Sequence, residues 1–213
     1  MVIAIDGPAG AGKSTVARGL ADELGITYLD SGAMYRCVAL ALSRAGADPD
    51  DPEQAAGVAS DLEIAFDGER VLLDSEDVSA AIRTPEISAL ASRVSVHPKV
   101  REAMVMRQRE MISRGPYVAE GRDIGTVVSP DAPLKVFLVA DHSERARRRA
   151  AETSRNVDEV WSDLAERDRR DTEREHGALQ AAEDSVAVDT TELSPNEVIE
   201  QIAEIARSRG LAR

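Results

Sequence analysis

Residues 7–15 read GPAGAGKST, and no other stretch of this 213-residue chain restricts its fold as tightly. Gly7, Gly12, Lys13 and Ser14 satisfy G-x-x-x-x-G-K-[ST], a pattern whose backbone N–H groups wrap around phosphate oxygens. Such a loop works only between a strand and a helix, because the helix must aim its positive N-terminal end at the same anion. Both flanks agree. Residues 2–6, VIAID, are short and nearly all apolar, as a strand buried on both faces reads. From Ser14 the period becomes helical: Val16, Ala17, Leu20, Ala21 and Leu24 share one face, and Gly25 closes it. Small residues at Gly7, Ala9, Gly10, Ala11 and Gly12 admit the phosphates. Lys13 neutralises the β- and γ-phosphates, and the Ser14 hydroxyl can ligate Mg²⁺. Gly7, Pro8, Ala9, Gly10, Ala11, Gly12, Lys13, Ser14 and Thr15 are therefore expected to hold a nucleoside triphosphate, ATP in the simplest case, with Mg²⁺ as its ion.

The alternation continues downstream. ITYLD (26–30) reads as a strand and AMYRCVALALSRAG as a helix closed at Gly46, while residues 48–57 read as a loop or a polar helix start. LEIAF-DG-ERVLLD (62–74) alternates apolar and polar residues around Asp67–Gly68, which predicts a hairpin inserted into the strand–helix rhythm. Thr84–Pro85 opens one helix. His97–Pro98 opens another, expected to run to about Arg114. YVAEG (117–121), LKVFLVA (134–140) and SVAVD (185–189) suit parallel strands. Asp141-x-x-Glu144 and Ser194-Pro195-x-Glu197 predict capping boxes, and Val198, Ile202 and Ile205 form the apolar stripe of a last helix. The result is an α/β chain with an open, mostly parallel sheet.

Composition narrows the partners. With 43% hydrophobic and 31% charged residues the chain is expected to fold as a soluble globule. A formal charge of −13 argues against a general nucleic-acid or anionic-membrane binder, so no nucleic acid and no membrane is expected as a partner. Any anion must be held by a local cluster. The single cysteine, Cys37, lies in an apolar helix and is expected to be a buried thiol. No signal-like segment and no long apolar run occurs, which predicts a cytoplasmic protein, and a monomer since no long apolar patch demands a partner.

Triphosphate binding alone leaves the chemistry open. No N-K-x-D tetrapeptide of a GTPase occurs, and a motor would usually be longer. A small P-loop phosphotransferase or a regulatory module without turnover remains. DSGAMYR (30–36) and EGRDIGT (120–126) follow predicted strands at the carboxyl edge, where open α/β sheets bind ligands, and each sets an arginine beside small residues. Near the C-terminal third stands ERDRRDTER (166–174), whose Arg167, Asp171 and Arg174 fall on one helical face at i, i+4 and i+7. Glu166, Arg169 and Glu173 read as solvated surface, and Glu166–Arg170 runs in the favoured order for a surface ion pair.

Taken in order, GPAGAGKST, DSGAMYR, SALASRVSVHPKVREAMVMRQRE, EGRDIGT and ERDRRDTER resemble the bacterial cytidylate (CMP/dCMP) kinases, over essentially the whole chain. The resemblance implies a P-loop kinase fold: an open, mostly parallel five-stranded sheet with helices on both faces, in one domain, 1–213. It also implies a nucleoside-monophosphate-binding region at about 31–114 carrying the hairpin insert, and a helical lid at about 143–174. The implied reaction is transfer of the γ-phosphoryl group of ATP to CMP or dCMP. Arg36 and Arg122 would hold the monophosphate, flanked by Ser31 and Tyr35, while Ser92, Arg101 and Asp123 would read the cytosine. Arg167 and Asp171 would contact the ribose, and Arg174 the transferring phosphate. Lys13, Arg122, Arg167 and Arg174 are thus the implied catalytic set. Glu120 stands where the family commonly has Asp, which keeps a carboxylate on a longer arm in the same CMP-binding group.

Overall fold

The structure, a computed structural model, describes Met1–Leu211. Its chain divides into two compact units, one made of residues 1–30 with 109 onward, the other of Ser31–Gln108.

In the first unit β1 (Val2–Asp6) is the central strand, and every one of its residues is buried. It pairs in parallel with β6 (Tyr117–Gly121) on one side and β7 (Leu134–Val139) on the other. The strand β2 (Thr27–Asp30) adds to β6, and β8 (Val186–Asp189) to β7, giving the order β2-β6-β1-β7-β8 with all pairs parallel. Apolar runs explain this: a strand covered on both faces needs no polar alternation. Against the sheet pack α1 (Lys13–Leu24) and α8 (Pro195–Ser208), through Val16, Leu20, Val198 and Ile202. Each fully buried Leu or Ile here contributes roughly 1.5–3 kcal/mol. The register pairs Asp6 with Gly121, so β1 and β6 end together and release the two loops that follow them side by side. The unit also holds α6 (His142–Thr153) and α7 (Val157–Glu173).

The second unit contains α2 (Ser31–Ala45), α3 (Pro52–Asp61), a 3-10 turn at Ala81–Arg83, α4 (Pro85–Val94) and most of α5 (Pro98–Ile112). The predicted hairpin forms as β3 (Ile64–Asp67) and β4 (Arg70–Leu73), joined through Gly68, whose φ of 58° suits glycine. A two-residue strand, β5 (Glu76–Asp77), extends it to three; so short a segment carries no periodicity to read. Residues 48–57 resolve into the start of α3, with Asp51 accepting from the Glu53 and Gln54 N–H groups. The α4 start is as expected, with the Thr84 hydroxyl accepting from Ile87 N–H and Pro85 at the first helical position. Helix α5 ends at Ile112, two residues short of the expected stop.

One capping box forms and one does not. Ser194 and Glu197 make theirs reciprocally. At Asp141 the side chain makes no capping hydrogen bond: its own N–H donates to Thr191 Oγ1 at 3.0 Å, and Glu144 turns to Arg147 and Arg148. A tertiary hydroxyl has taken the donor that Glu144 would have bonded. Cys37 is buried, and among the described residues no helix is long and apolar enough to cross a membrane.

Candidate active site

The phosphate loop leaves β1 at Gly7 and enters α1 at Gly12, whose φ of 86° is left-handed. At Gly7 a side chain is impossible: a Cβ would stand 2.4 Å from the Leu138 carbonyl oxygen. Lys13 is buried at the helix start, and its Nζ donates to Pro8 O at 2.8 Å, closing the loop on itself. Burial pushes its pKa down to about 7, and the nearby Arg122 and Arg167 guanidiniums push the same way, with Glu120 and Asp171 opposing. Ser14 and Thr15 lie exposed beside it.

Glu120, near the end of β6, is buried on the P-loop side of this unit. Tyr28 Oη donates to its Oε1 at 2.7 Å, and the Ser14 hydroxyl also bonds it. Burial raises the Glu120 pKa, as does the charge of Asp30, while Lys13 and these two hydrogen bonds offset part of the rise. The longer glutamate arm thus reaches Tyr28 and Ser14.

Directly after β6, Arg122 bridges two parts of the unit. Its Nη1 donates to Gly7 O at 3.0 Å and its Nε to Asp171 Oδ2 at 2.7 Å. Arg174 approaches the other oxygen of Asp171 at 3.4 Å and Asp123 Oδ1 at 4.0 Å. Burial alone would raise the Asp171 pKa, but Arg122, Arg167 and Arg174 outweigh it and hold the carboxyl at about 2. Burial works against the Arg122 charge, yet Asp171 more than compensates and its pKa is raised. Asp123, Arg122, Asp171 and Arg174 are therefore brought together, with Arg167 close enough to act on both Lys13 and Asp171. Three guanidiniums against the carboxylates of Asp171 and Asp123 still leave one positive charge in excess, which suits an anionic ligand.

The expected helical stripe is only partly helical. Arg167 and Asp171 lie on α7, but α7 ends at Glu173, and Arg174 is extended at φ −64°, ψ 141°. Its Nε donates to Gly177 O at 2.6 Å, so the turn after the helix, not the helical repeat, directs this guanidinium. The surface half of the segment reads as expected. Glu166 bonds Arg169 and Arg170, and Arg169 bonds Glu173, all at the surface, where solvent screens such pairs and they contribute little to stability.

In the second unit Ser31 opens α2 and is buried, with Tyr35 and Arg36 half-buried one turn on. The Arg101 guanidinium stands 5.7 Å from the Tyr35 ring centroid and donates to Ser95 O at 3.4 Å. Ser95 Oγ in turn donates to Ser92 O, so Ser92, Arg101 and Tyr35 belong to one polar cluster.

Three charged residues escaped the sequence reading. Arg145 is buried and donates to Ala9 O at 3.1 Å, Ala140 O at 3.1 Å and Asp168 Oδ2 at 2.6 Å. Together with a small apolar cluster of Ala9, Ala146, Ala150, Val160 and Leu164, it ties α6 and α7 to the phosphate loop. Arg145 and Asp168 sit in charge-rich runs, where no periodicity separates a buried member from its solvated neighbours. Asp6 is the third. An aspartate ending an otherwise apolar buried strand was a visible signal, since a buried carboxylate must find donors.

The sequence model of the cytidylate kinase family matches residues 3–208. The cytidylate kinase of Geobacter sulfurreducens is 48% identical, with 98% of this chain and 94% of that protein covered. That of Mycolicibacterium paratuberculosis is 47% identical over 98% and 96%. Among solved structures, a gluconokinase from Sinorhizobium meliloti superposes with a TM-score of 0.53 at 17% identity, covering 98% of this chain and 93% of that one. A shikimate kinase from Bacteroides thetaiotaomicron gives 0.51 at 12%, covering 97% and 98%. These two share the fold, a parallel sheet flanked by helices around a P-loop. Fold, phosphate loop and near-complete sequence match converge on one conclusion: the chain belongs to the cytidylate kinase family.

Proposed function

We propose that the protein transfers the γ-phosphoryl group of ATP to CMP or dCMP, yielding ADP and CDP or dCDP. The observation that carries this is Arg122, one guanidinium hydrogen-bonded both to the phosphate loop at Gly7 and to the Asp171–Arg174 cluster. A residue that touches the donor loop while belonging to an arginine cluster is placed to neutralise charge on the group passing between two phosphates. The partners are then these small nucleotides, and the protein works as a monomer in the cytoplasm.

In this reading Gly7 to Thr15 cradle the triphosphate and Lys13 neutralises its β- and γ-oxygens. Arg36 and Arg122 hold the acceptor phosphate. Ser31 and Tyr35 flank it, and Ser92, Arg101 and Asp123 read the cytosine, a carboxylate suiting the N4 amino group and a guanidinium the O2 and N3 acceptors. Arg167 and Asp171 serve the ribose and Arg174 the moving phosphoryl group. Residues 31–114 form the acceptor-binding region, and 143–174 a lid whose closure would exclude water as a competing acceptor.

Mg²⁺ fits the residues present. Among the described residues no group of three or more His, Cys, Asp or Glu is placed to ligate an ion, whereas Ser14 is exposed beside Lys13 with its hydroxyl bonded to Glu120. The ion would then arrive with the triphosphate and take Ser14 as its protein ligand. When bound it would offset phosphate charge, as in other P-loop enzymes.

A panel of CMP, dCMP, UMP and AMP with ADP release as readout tests the substrate. CMP-dependent release well above that with UMP and AMP is expected; ATP binding with no CMP-dependent turnover would overturn the reading. For Arg174→Ala, kcat should fall about 100-fold with the KM for CMP changing far less. A change confined to KM would reduce Arg174 to a binding group.

A further inference from the structure

Side chains grip the phosphate loop by its carbonyl oxygens. Arg122 Nη1 donates to Gly7 O at 3.0 Å, Lys13 Nζ to Pro8 O at 2.8 Å and Arg145 Nη1 to Ala9 O at 3.1 Å. Ala11 O is held as well, 3.2 Å from the Oγ1 of Thr190, a buried residue just after β8. The same hydroxyl lies 3.2 Å from Val139 O, but that oxygen already takes the Thr190 N–H at 2.8 Å. Arg148 Nη1 donates to Thr190 Oγ1 at 3.2 Å, which occupies a lone pair and leaves the hydroxyl proton for Ala11. A peptide group is planar and trans, so a carbonyl held on one side aims the next residue's N–H to the other. The Ala9 and Ala11 carbonyls therefore govern the Gly10 and Gly12 N–H groups, which belong to the set that wraps phosphate oxygens in such a loop. Pro8 has no N–H, so the bond at Gly7 O orients none. At Gly10 the fit is close: a Cβ there would stand 3.0 Å from Arg145 Cβ and 3.1 Å from Arg145 O, so a glycine lets α6 rest on the loop. Arg145 has little freedom of its own. It is buried, with Nε on Ala140 O, Nη1 also on Asp168 Oδ2 and Nη2 3.1 Å from His142 Nδ1, and these partners fix the plane of its guanidinium.

We propose that Arg145 and Thr190 are positioning residues for the donor triphosphate: they hold the Ala9 and Ala11 carbonyls away from the phosphates, so that the Gly10 and Gly12 N–H groups face them before the ligand arrives. Gly10 and Gly12, with φ of 78° and 86°, are the residues of the loop with the widest backbone freedom, and their peptides need restraint from outside. A loop set in advance binds without first ordering its own backbone, and ordering on binding is subtracted from affinity. The inference rests on reading this loop as the triphosphate site and is independent of the acceptor.

Calorimetric binding of Mg·ATP tests the idea, with the KM for CMP as the comparison. Thr190→Val removes the hydroxyl at nearly constant shape and no change of charge, and the Kd for Mg·ATP should rise about fivefold. Arg145→Lys keeps the charge, but an ammonium cannot serve Ala9 O, Ala140 O, Asp168 and His142 together, so the Kd should rise about tenfold. In both variants the KM for CMP should change by less than about twofold. Normal ATP affinity in either variant would overturn the proposal; in Arg145→Lys it would mean that the charge alone mattered. An equal rise in the KM for CMP would overturn it too, since a merely structural role predicts losses on both substrates. Inorganic tripolyphosphate, which has no base, should show the same losses as ATP. Losses confined to ATP would place the effect at the nucleoside and overturn the proposal. If Arg145→Lys does not fold, Thr190→Val carries the test alone. Wild-type protein that binds neither ATP nor tripolyphosphate would sink the nucleotide reading and this inference with it, whereas wild-type binding that the substitutions leave unchanged would sink the inference alone.

Discussion

Lys13→Ala should lower kcat by about 10³-fold or more while leaving the protein as stable as wild type or slightly more so. The activity loss follows from removing the cation that faces the transferring phosphates, where a single preorganised donor is commonly worth about 10²–10³ in rate. The stability expectation has a separate cause. Lys13 is buried at the start of α1, and its pKa near 7 means that the folded protein disfavours the charged form. Alanine removes that burden. Bound phosphates reverse the balance and favour the ammonium, so binding of Mg·ATP at pH 8, where free Lys13 is mostly neutral, should take up close to one proton. Near pH 5.5, where Lys13 is already charged, uptake should largely vanish. Calorimetry in buffers of different ionisation enthalpy measures this, and Lys13→Ala should abolish it. Near-normal turnover in that variant, or proton uptake that survives it, would remove Lys13 from its assigned role.

Asp171→Asn is expected to cost about 3 kcal/mol of stability together with a large rise in the KM for CMP. Removing one member of a buried ion pair leaves its partners uncompensated, which typically costs about 3–5 kcal/mol. Here Arg122, Arg167 and Arg174 all face that carboxylate. Their mutual repulsion should spread the cluster and displace Arg122 from Gly7. The same physics sets an acid dependence. The folded pKa of Asp171, about 2, lies below its ordinary 3.8. The carboxylate therefore contributes stability that is complete above pH ~4 and lost as pH falls toward 2, roughly 2 kcal/mol in all. Asp171→Asn should flatten that part of the acid unfolding profile. Added sulfate should raise the melting temperature of the variant more than that of wild type, since an anion supplies the missing charge. A variant with unchanged melting temperature and KM would show that the cluster does not depend on Asp171.

Much of the architecture was legible because it rests on periodicity. All five strands of the parallel sheet, the hairpin and the principal helices follow from apolar runs, alternation and caps such as Thr84–Pro85 and Ser194–Glu197. What failed was local pattern overridden by a distant group. Asp141 and Glu144 have capping-box spacing, yet Thr191 takes the Asp141 N–H and arginines take Glu144. Arg174 has helical spacing from Arg167, yet α7 stops one residue earlier and Gly177 O directs its guanidinium.

The chain alone thus determined that a strand, a glycine-rich loop and a helix meet at a phosphate, because Gly7, Gly12, Lys13 and Ser14 act through bonds to near neighbours in sequence. It also named the arginines and carboxylates of the acceptor motifs, through their likeness to a family. Which of those charges share a cluster was decided only by the tertiary structure. Asp6 meets Ile124 and Gly125 across 118 and 119 residues, Arg122 meets Gly7 across 115, and Arg145 meets Ala9 across 136. Buried charges are stable only where partners converge on them, and convergence across such separations is set by strand order and register, which no local spacing encodes.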